Sequence, residues 1–170
     1  MKSVRNLSIA ALLIAMGITI PMFMPKIIIP PASYTLASHV PVFISMFISP
    51  PIALAVALGT GVGFLLSTPL IVAVRAFSHC IFALVGAFYI HKHPQIIDNT
   101  KSLVAFNLLI GLLHASIECL SVTPFFLTNV THTGTYFTVV FLAVGIGGFF
   151  HSLVDFTIAT TILKRVPLKR

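Results

Sequence analysis

The sequence predicts an all-α integral membrane protein: one six-helix domain over residues 1–170, with both termini cytoplasmic. Three observations carry this prediction. Six predominantly apolar stretches, near residues 7–24, 34–49, 51–67, 70–90, 102–122 and 136–163, fill most of the chain, and each approaches the ~20 residues a helix needs to cross ~30 Å of hydrocarbon. Hydrophobic residues make up 58% of the chain and charged ones 8%, with a mean hydropathy of +1.09, which leaves too little polar surface for a soluble domain of this size. Finally, the basic residues alternate by side. Lys2, Arg5, Lys92, Lys101, Lys164, Arg165, Lys169 and Arg170 fall at one end of the spans, whereas the opposite loops contain only Lys26. By the positive-inside rule the basic side is cytoplasmic. The net charge of +7 is thus an orientation signal, and without a basic stripe interleaved with aromatics it does not indicate nucleic-acid binding.

Span one reads as a retained helix, since no small-residue cleavage site followed by soluble sequence marks a removable signal peptide. Its Ala11-x-x-x-Ala15 pattern, continued approximately by Ser8 and Thr19, puts small side chains on one face. Such a face permits close helix approach, either inside the bundle or with a partner. Pro21, Pro25, Pro30 and Pro31 then crowd the first external loop, near 22–33, which is expected to be a stiff, irregular hairpin. Pro50-Pro51 makes a tight inner turn, and Ser67-Thr68-Pro69 an outer one, with Pro69 suited to a first helical turn. The glycines of span three (Gly59, Gly61, Gly63) and span six (Gly145, Gly147, Gly148) suit tight crossings or a cavity. Residues 91–101 form the one markedly polar connection. Residues 121–136 are long, uncharged and rich in Thr and Phe, a composition that suits either a lid folded over a site or a turn lying against the headgroups. Asn129-Val130-Thr131 matches a glycosylation sequon, a pattern too short to carry weight. Cys80 and Cys119, inside spans four and five, are expected to be buried packing thiols.

Ionisable groups at membrane depth are costly and point to function. Counting ~1.5 Å per residue from the outer helix ends places His39, Arg75, His114 and Glu118 in one outer layer, with His79 one turn below Arg75. Arg75 keeps its charge, so it requires a partner, either Glu118 or an anionic ligand. Tyr34, Ser38, Ser78 and Asn107 supply further hydrogen-bonding groups. His151 and Asp155, at i and i+4 on span six, are expected nearer the cytoplasmic half, well below that layer. HxxxD alone does not make a metal site and no HExxH spacing is present, so no metal is expected. There is no Walker A motif, so the chain cannot drive pumping through a P-loop of its own, and no internal repeat is evident.

Taken together, the six spans with both ends inside, the proline-rich first outer loop, Ala11-x-x-x-Ala15, and the segments PPASYTLASHVP and RAFSHCIFALVGAFYI resemble a known family. The chain is similar to the substrate-binding S components of energy-coupling factor vitamin transporters, and within them to the niacin-specific subgroup, over most of residues 7–163. The resemblance implies a non-enzymatic, cofactor-free, multi-pass subunit of the cell membrane that binds a vitamin under its external loops. It also implies that Ala11 and Ala15 dock to a transmembrane scaffold subunit coupled to two ATPases.

Nicotinate suits the chemistry. It is a small planar ring with one carboxylate, for which the Arg75 guanidinium offers a matching fork. His39 or His114 could bond the ring nitrogen, and Phe125, Phe126 or Tyr136 could cover the ring face. The expected substrate-binding set is therefore Arg75, His39, His114, Glu118, His79, Tyr34, Ser38 and Tyr136. Pantothenate, pyridoxine or a queuosine precursor are alternative ligands. An intramembrane enzyme built on His114, Glu118, His151 and Asp155 is the alternative class.

Overall fold

The computed structural model describes residues 2–29, 32–128 and 134–166, with side chains from Val4 onward. Pro30, Pro31, the sequon at Asn129, and the terminal Lys169 and Arg170 lie outside the described residues. Helix dominates: α1 (Lys2–Phe23), α3 (Pro50–Ser67), α4 (Leu70–Lys92), α5 (Thr100–Leu127), and a π-wound segment (Phe137–Ile146) running directly into α6 (Gly147–Arg165). Each of these five is long and apolar enough to cross a membrane. The chain is a multi-pass membrane protein.

The second expected span, 34–49, is different. Its start is taken by an antiparallel hairpin of β1 (Lys26–Ile29) and β2 (Ala32–Thr35), with Lys26 opposite Thr35 and Ile29 opposite Ala32. The β-branched run Ile27, Ile28 and Ile29, paired with Tyr34, Ser33 and Ala32, favours this extended pairing. A turn follows in which Ala37 adopts a left-handed φ of 66°, and only then does α2 (Val40–Met46) begin. Seven residues rise only ~10 Å, so α2 alone cannot span the hydrocarbon. The chain is reset by Pro50, which holds Ser49 extended (φ −171°, ψ 157°) before α3 starts. All of α2 is buried, and it contacts α1, α3, α4 and α6.

Two expected loop boundaries also move. Helix α1 continues through Pro21 to Phe23, with Met24 N–H still bonded to the Ile20 carbonyl at 2.9 Å, and within the stretch 22–33 expected to be irregular, residues 26–29 and 32–33 are paired strand. Helix α5 runs through Pro124 to Leu127, shortening the expected lid to the stretch between Thr128 and Tyr136. On the polar connection, Asn99 caps α5 by accepting the Ser102 N–H at 3.1 Å, after a short 3-10 turn at Pro94–Asp98.

Packing follows the small residues. A Cβ on Gly59 or Gly63 would run into Ile14 or Ile18 of α1, and one on Gly61 into Phe77 of α4, so these glycines set the close approach of α3 to both neighbours. Ala10, Leu13 and Gly17 of α1 are buried, whereas Ala11 and Ala15 are exposed. The AxxxA face is therefore not used inside the bundle. One apolar core surrounds Phe43, Phe82, Phe106 and Phe156, with Phe43 and Phe156 rings 5.2 Å apart. A second, smaller core gathers Ala32, Ile71, Val122, Val139, Val140 and Val144. The cysteines are half-buried rather than buried, and Cys119 Sγ donates to the Val140 carbonyl at 3.4 Å.

Candidate functional site

The two cores bracket a polar layer. On α4, Arg75 and His79 lie between Ile71 and Phe82; on α5, His114 and Glu118 lie between Ile110 and Val122; on the last helix, His151 and Asp155 lie between Val144 and Phe156. His39 sits between the hairpin and α2. All of these except His151 are buried, and His151 is half-buried.

Arg75 has its partner within the protein. Its Nη2 donates to Glu118 Oε2 at 3.0 Å and its Nε to Oε1 at 3.3 Å. His79 Nε2 reaches the same Oε1 at 3.2 Å. The fork expected to hold a ligand carboxylate thus holds Glu118. A bidentate, charge-assisted pair is the arrangement that makes a buried ion tolerable away from water. Gly148 leaves the space that this carboxylate uses: a Cβ there would stand 2.9 Å from Glu118 Oε2.

Asp155 organises the other half. Its Oδ1 accepts the Ala37 N–H at 2.8 Å, and its Oδ2 accepts the His39 N–H at 2.8 Å and contacts His39 Nδ1 at 3.1 Å. The left-handed turn at Ala37, a conformation costing about 1–3 kcal/mol for a non-glycine residue, is held in place by this carboxylate. Ser38 Oγ lies 3.1 Å from His151 Nε2. His151 and Asp155 therefore belong to the same layer as His39, which corrects the expectation that they lie well below it. The reason is geometric. Two departures from α-helical counting contribute: residues 137–146 are π-wound, with the Gly147 N–H reaching the Leu142 carbonyl, and advance less per residue, whereas the extended strand β2 ahead of His39 advances more.

Four imidazoles meet here. The His39 ring centroid lies 4.7 Å from those of His79 and His114 and 4.9 Å from that of His151, all edge-on, and His79 and His114 are 4.9 Å apart. His114 is fully buried, yet neither of its ring nitrogens has a hydrogen-bond partner; Nε2 stands 3.6 Å from Glu118 Oε1. Tyr34 reaches in from β2, its ring 5.6 Å from His151 and against Gly147, and its hydroxyl also lacks a partner.

A small cavity opens between this cluster and the hairpin, lined by Ser33, Thr35, Ser38, His39, Arg75, His79, Glu118 and His151. Its volume, about 30 Å³, admits a water but not a pyridine ring. Beyond it, a vestibule of about 510 Å³ extends between the hairpin, Pro21 of α1 and the α3–α4 turn, with Lys26 on its wall. Ser33, Thr35, Phe64 and Val72 line both spaces.

Of the expected binding residues, the structure brings Arg75, His39, His114, Glu118, His79, Tyr34 and Ser38 together. Tyr136 is not among them. It is exposed at the start of the last helix, bonded to Thr123 Oγ1 at 3.0 Å, with its ring 5.4 Å from that of Phe126. Asn107 lies apart as well, donating to the Leu153 carbonyl at 3.3 Å. Residue-by-residue reading missed Asp155 as an anchor of the turn before α2. The signal was present, since a lone aspartate in an apolar helix requires polar partners.

The niacin transporter NiaX of Lactococcus lactis subsp. cremoris (strain MG1363) is 43% identical to this chain over 159 residues, covering 92% of the chain and 72% of that relative. No protein-family model matches the chain, and no solved structure matches it significantly.

Proposed function

This chain belongs to the niacin-type S components, the substrate-binding membrane subunits of energy-coupling factor transporters, and from that premise we propose that it captures niacin, as the nicotinate anion, from the hairpin side of the membrane. The observation that carries the reading is the buried layer of four histidines, Arg75 and two carboxylates lying directly beneath a vestibule that opens beside the hairpin. Lys26 on the vestibule wall favours entry of an anion. The cavity widens as the hairpin lifts, because Ser33 and Thr35 of β2 form the partition between the two spaces. Tyr34, Ser38, His39, His79 and His114 then meet the ring and its carboxylate, while the Arg75–Glu118 pair holds the inner wall.

The charge pattern supports a hairpin side facing outward and both termini in the cytoplasm. Six crossings result if the second is made by the hairpin, α2 and the turn at 47–49 together. Ala11 and Ala15, exposed beside Leu7, Leu12 and Met16, provide a close-approach face for a membrane scaffold subunit, which two ATPases would drive; this chain is a binding subunit rather than an enzyme. Isothermal titration of the purified protein with nicotinate and nicotinamide tests the assignment. Nicotinate is expected to bind the more tightly. A folded protein that binds neither would remove niacin while leaving the family unaffected.

A further inference from the structure

Charge in the buried layer does not balance for an anionic ligand. Arg75 is neutralised by Glu118 through two hydrogen bonds, and Asp155 has no guanidinium or ammonium among its partners, only backbone N–H groups and imidazoles. Counting the imidazoles as uncharged, the layer carries one negative charge before any ligand arrives. Adding nicotinate would place a second there, in a setting where unpaired charge is strongly disfavoured. Something positive is missing.

Geometry shows where it belongs. One ligand atom from each of His39, His79, His114 and Glu118 lies within 4.8 Å of the others, a spread that small side-chain rotations reduce to the ~3.3 Å separating ligands at ~2.0–2.1 Å around a tetrahedral ion. His114 is the strongest pointer: it is fully buried, neither ring nitrogen has a hydrogen-bond partner, and Nε2 stands 3.6 Å from Glu118 Oε1, which leaves a buried imidazole donor available for coordination. The surroundings match an outer coordination shell. Asp155 engages His39 at Nδ1, which leaves Nε2 with its lone pair free to coordinate, and Arg75 fixes the orientation of Glu118. Carboxylates behind ligand histidines serve this purpose in metal sites.

We propose that His39, His79 and His114, with Glu118, hold a divalent transition-metal ion of the zinc class, and that this ion supplies the positive charge to which nicotinate binds. Imidazole-rich donor sets favour such ions over magnesium or calcium. The ion changes the layer from one negative charge to one positive, which a monoanionic ligand neutralises and a neutral amide does not. The ion's role in substrate capture rests on the niacin reading; the ion site itself rests on the four side chains alone. The neighbouring His39, His151 and Asp155 group is the weaker candidate, because Asp155 is already committed to two backbone N–H groups.

The test uses the full chain carrying a tag without histidines, in nanodiscs, loaded with Zn²⁺, desalted and analysed for metal, with a Co²⁺-loaded sample examined for tetrahedral visible absorption. About one ion per chain is expected, lost in His114→Ala and His114→Gln and kept in His151→Ala, with monodispersity and melting temperature reporting that each variant is folded. Chelation should weaken nicotinate binding by about tenfold or more, with recovery on adding Zn²⁺ and little effect on nicotinamide. Tight nicotinate binding by metal-free protein, indifferent to chelation, would overturn the ion and leave niacin standing. Loss of metal in His151→Ala but not in His114→Ala would overturn the assigned ligands. A stoichiometric ion in a protein that binds no nicotinate with or without metal would overturn the ion's role in capture, together with the niacin reading.

Discussion

Asp155 of the last helix accepts the backbone N–H of His39 at 2.8 Å and contacts the same residue's Nδ1 at 3.1 Å, tying the start of α2 to its neighbour α6. With the Ala37 N–H also on this carboxylate, one side chain sets both the left-handed turn and the placement of the central histidine.

Asp155→Ala should therefore disturb the site without emptying the apolar core. Hydrogen bonds to a charged group are each worth about 1.5–3 kcal/mol, and losing them frees the turn at 36–39. Nicotinate affinity should fall by roughly 10- to 100-fold, with faster amide exchange at Ala37 and His39. Asp155→Asn, which retains one acceptor oxygen, should lose less. Unchanged exchange at these two amides in Asp155→Ala would show that the carboxylate does not hold the turn.

Arg75→Gln removes the fixed cation from the buried Glu118 and leaves it the His79 contact, and breaking a buried ion pair typically costs about 3–5 kcal/mol. A clear drop in melting temperature in detergent is expected. Combining it with Glu118→Gln should recover much of the loss, because two neutral amides can hydrogen-bond where a lone carboxylate cannot be compensated. If Arg75→Gln melts like the wild type and loses only nicotinate binding, the guanidinium serves the ligand directly instead.

Replacing Ala11 and Ala15 together with Trp places bulk on a face that the bundle leaves exposed. Uptake in cells should be abolished while nicotinate binding to the isolated protein persists. Normal uptake with an intact complex would rule out this face as the docking surface.

Saturating nicotinate should slow hydrogen exchange in the hairpin at 26–29 and 32–35, and at the helix ends near 121–128 and 134–139. Ser33 and Thr35 of the hairpin line the small cavity, and the two helix ends flank the connection expected to act as a lid. Equal exchange with and without ligand would exclude a closing hairpin.

The extent of the legible fold follows from the physics of each signal. Long apolar stretches and the exclusion of charge from them are local properties, so the five long helices and the membrane setting were readable directly. The replacement of span two by a hairpin and α2 was not, because Tyr34–Ser49 is as apolar as a crossing helix. What distinguishes it is strand pairing with Lys26–Ile29 and an anchor 116 residues away in sequence, Asp155.

Within the site, sequence alone determined that Arg75 needed a counter-charge and that His39, Arg75, His114 and Glu118 shared a depth, since a fixed charge and an α-helical rise allow little else. Only the tertiary structure showed that Glu118 meets Arg75 through two hydrogen bonds, that Tyr136 stands apart from the layer, and that His151 and Asp155 join it. Partner choice depends on helix rotation, and true depth on the π-winding of Phe137–Ile146. Neither is encoded in hydropathy or spacing, because each depends on contacts between segments distant in sequence, such as Gly147 against Tyr34 and Gly148 against Glu118.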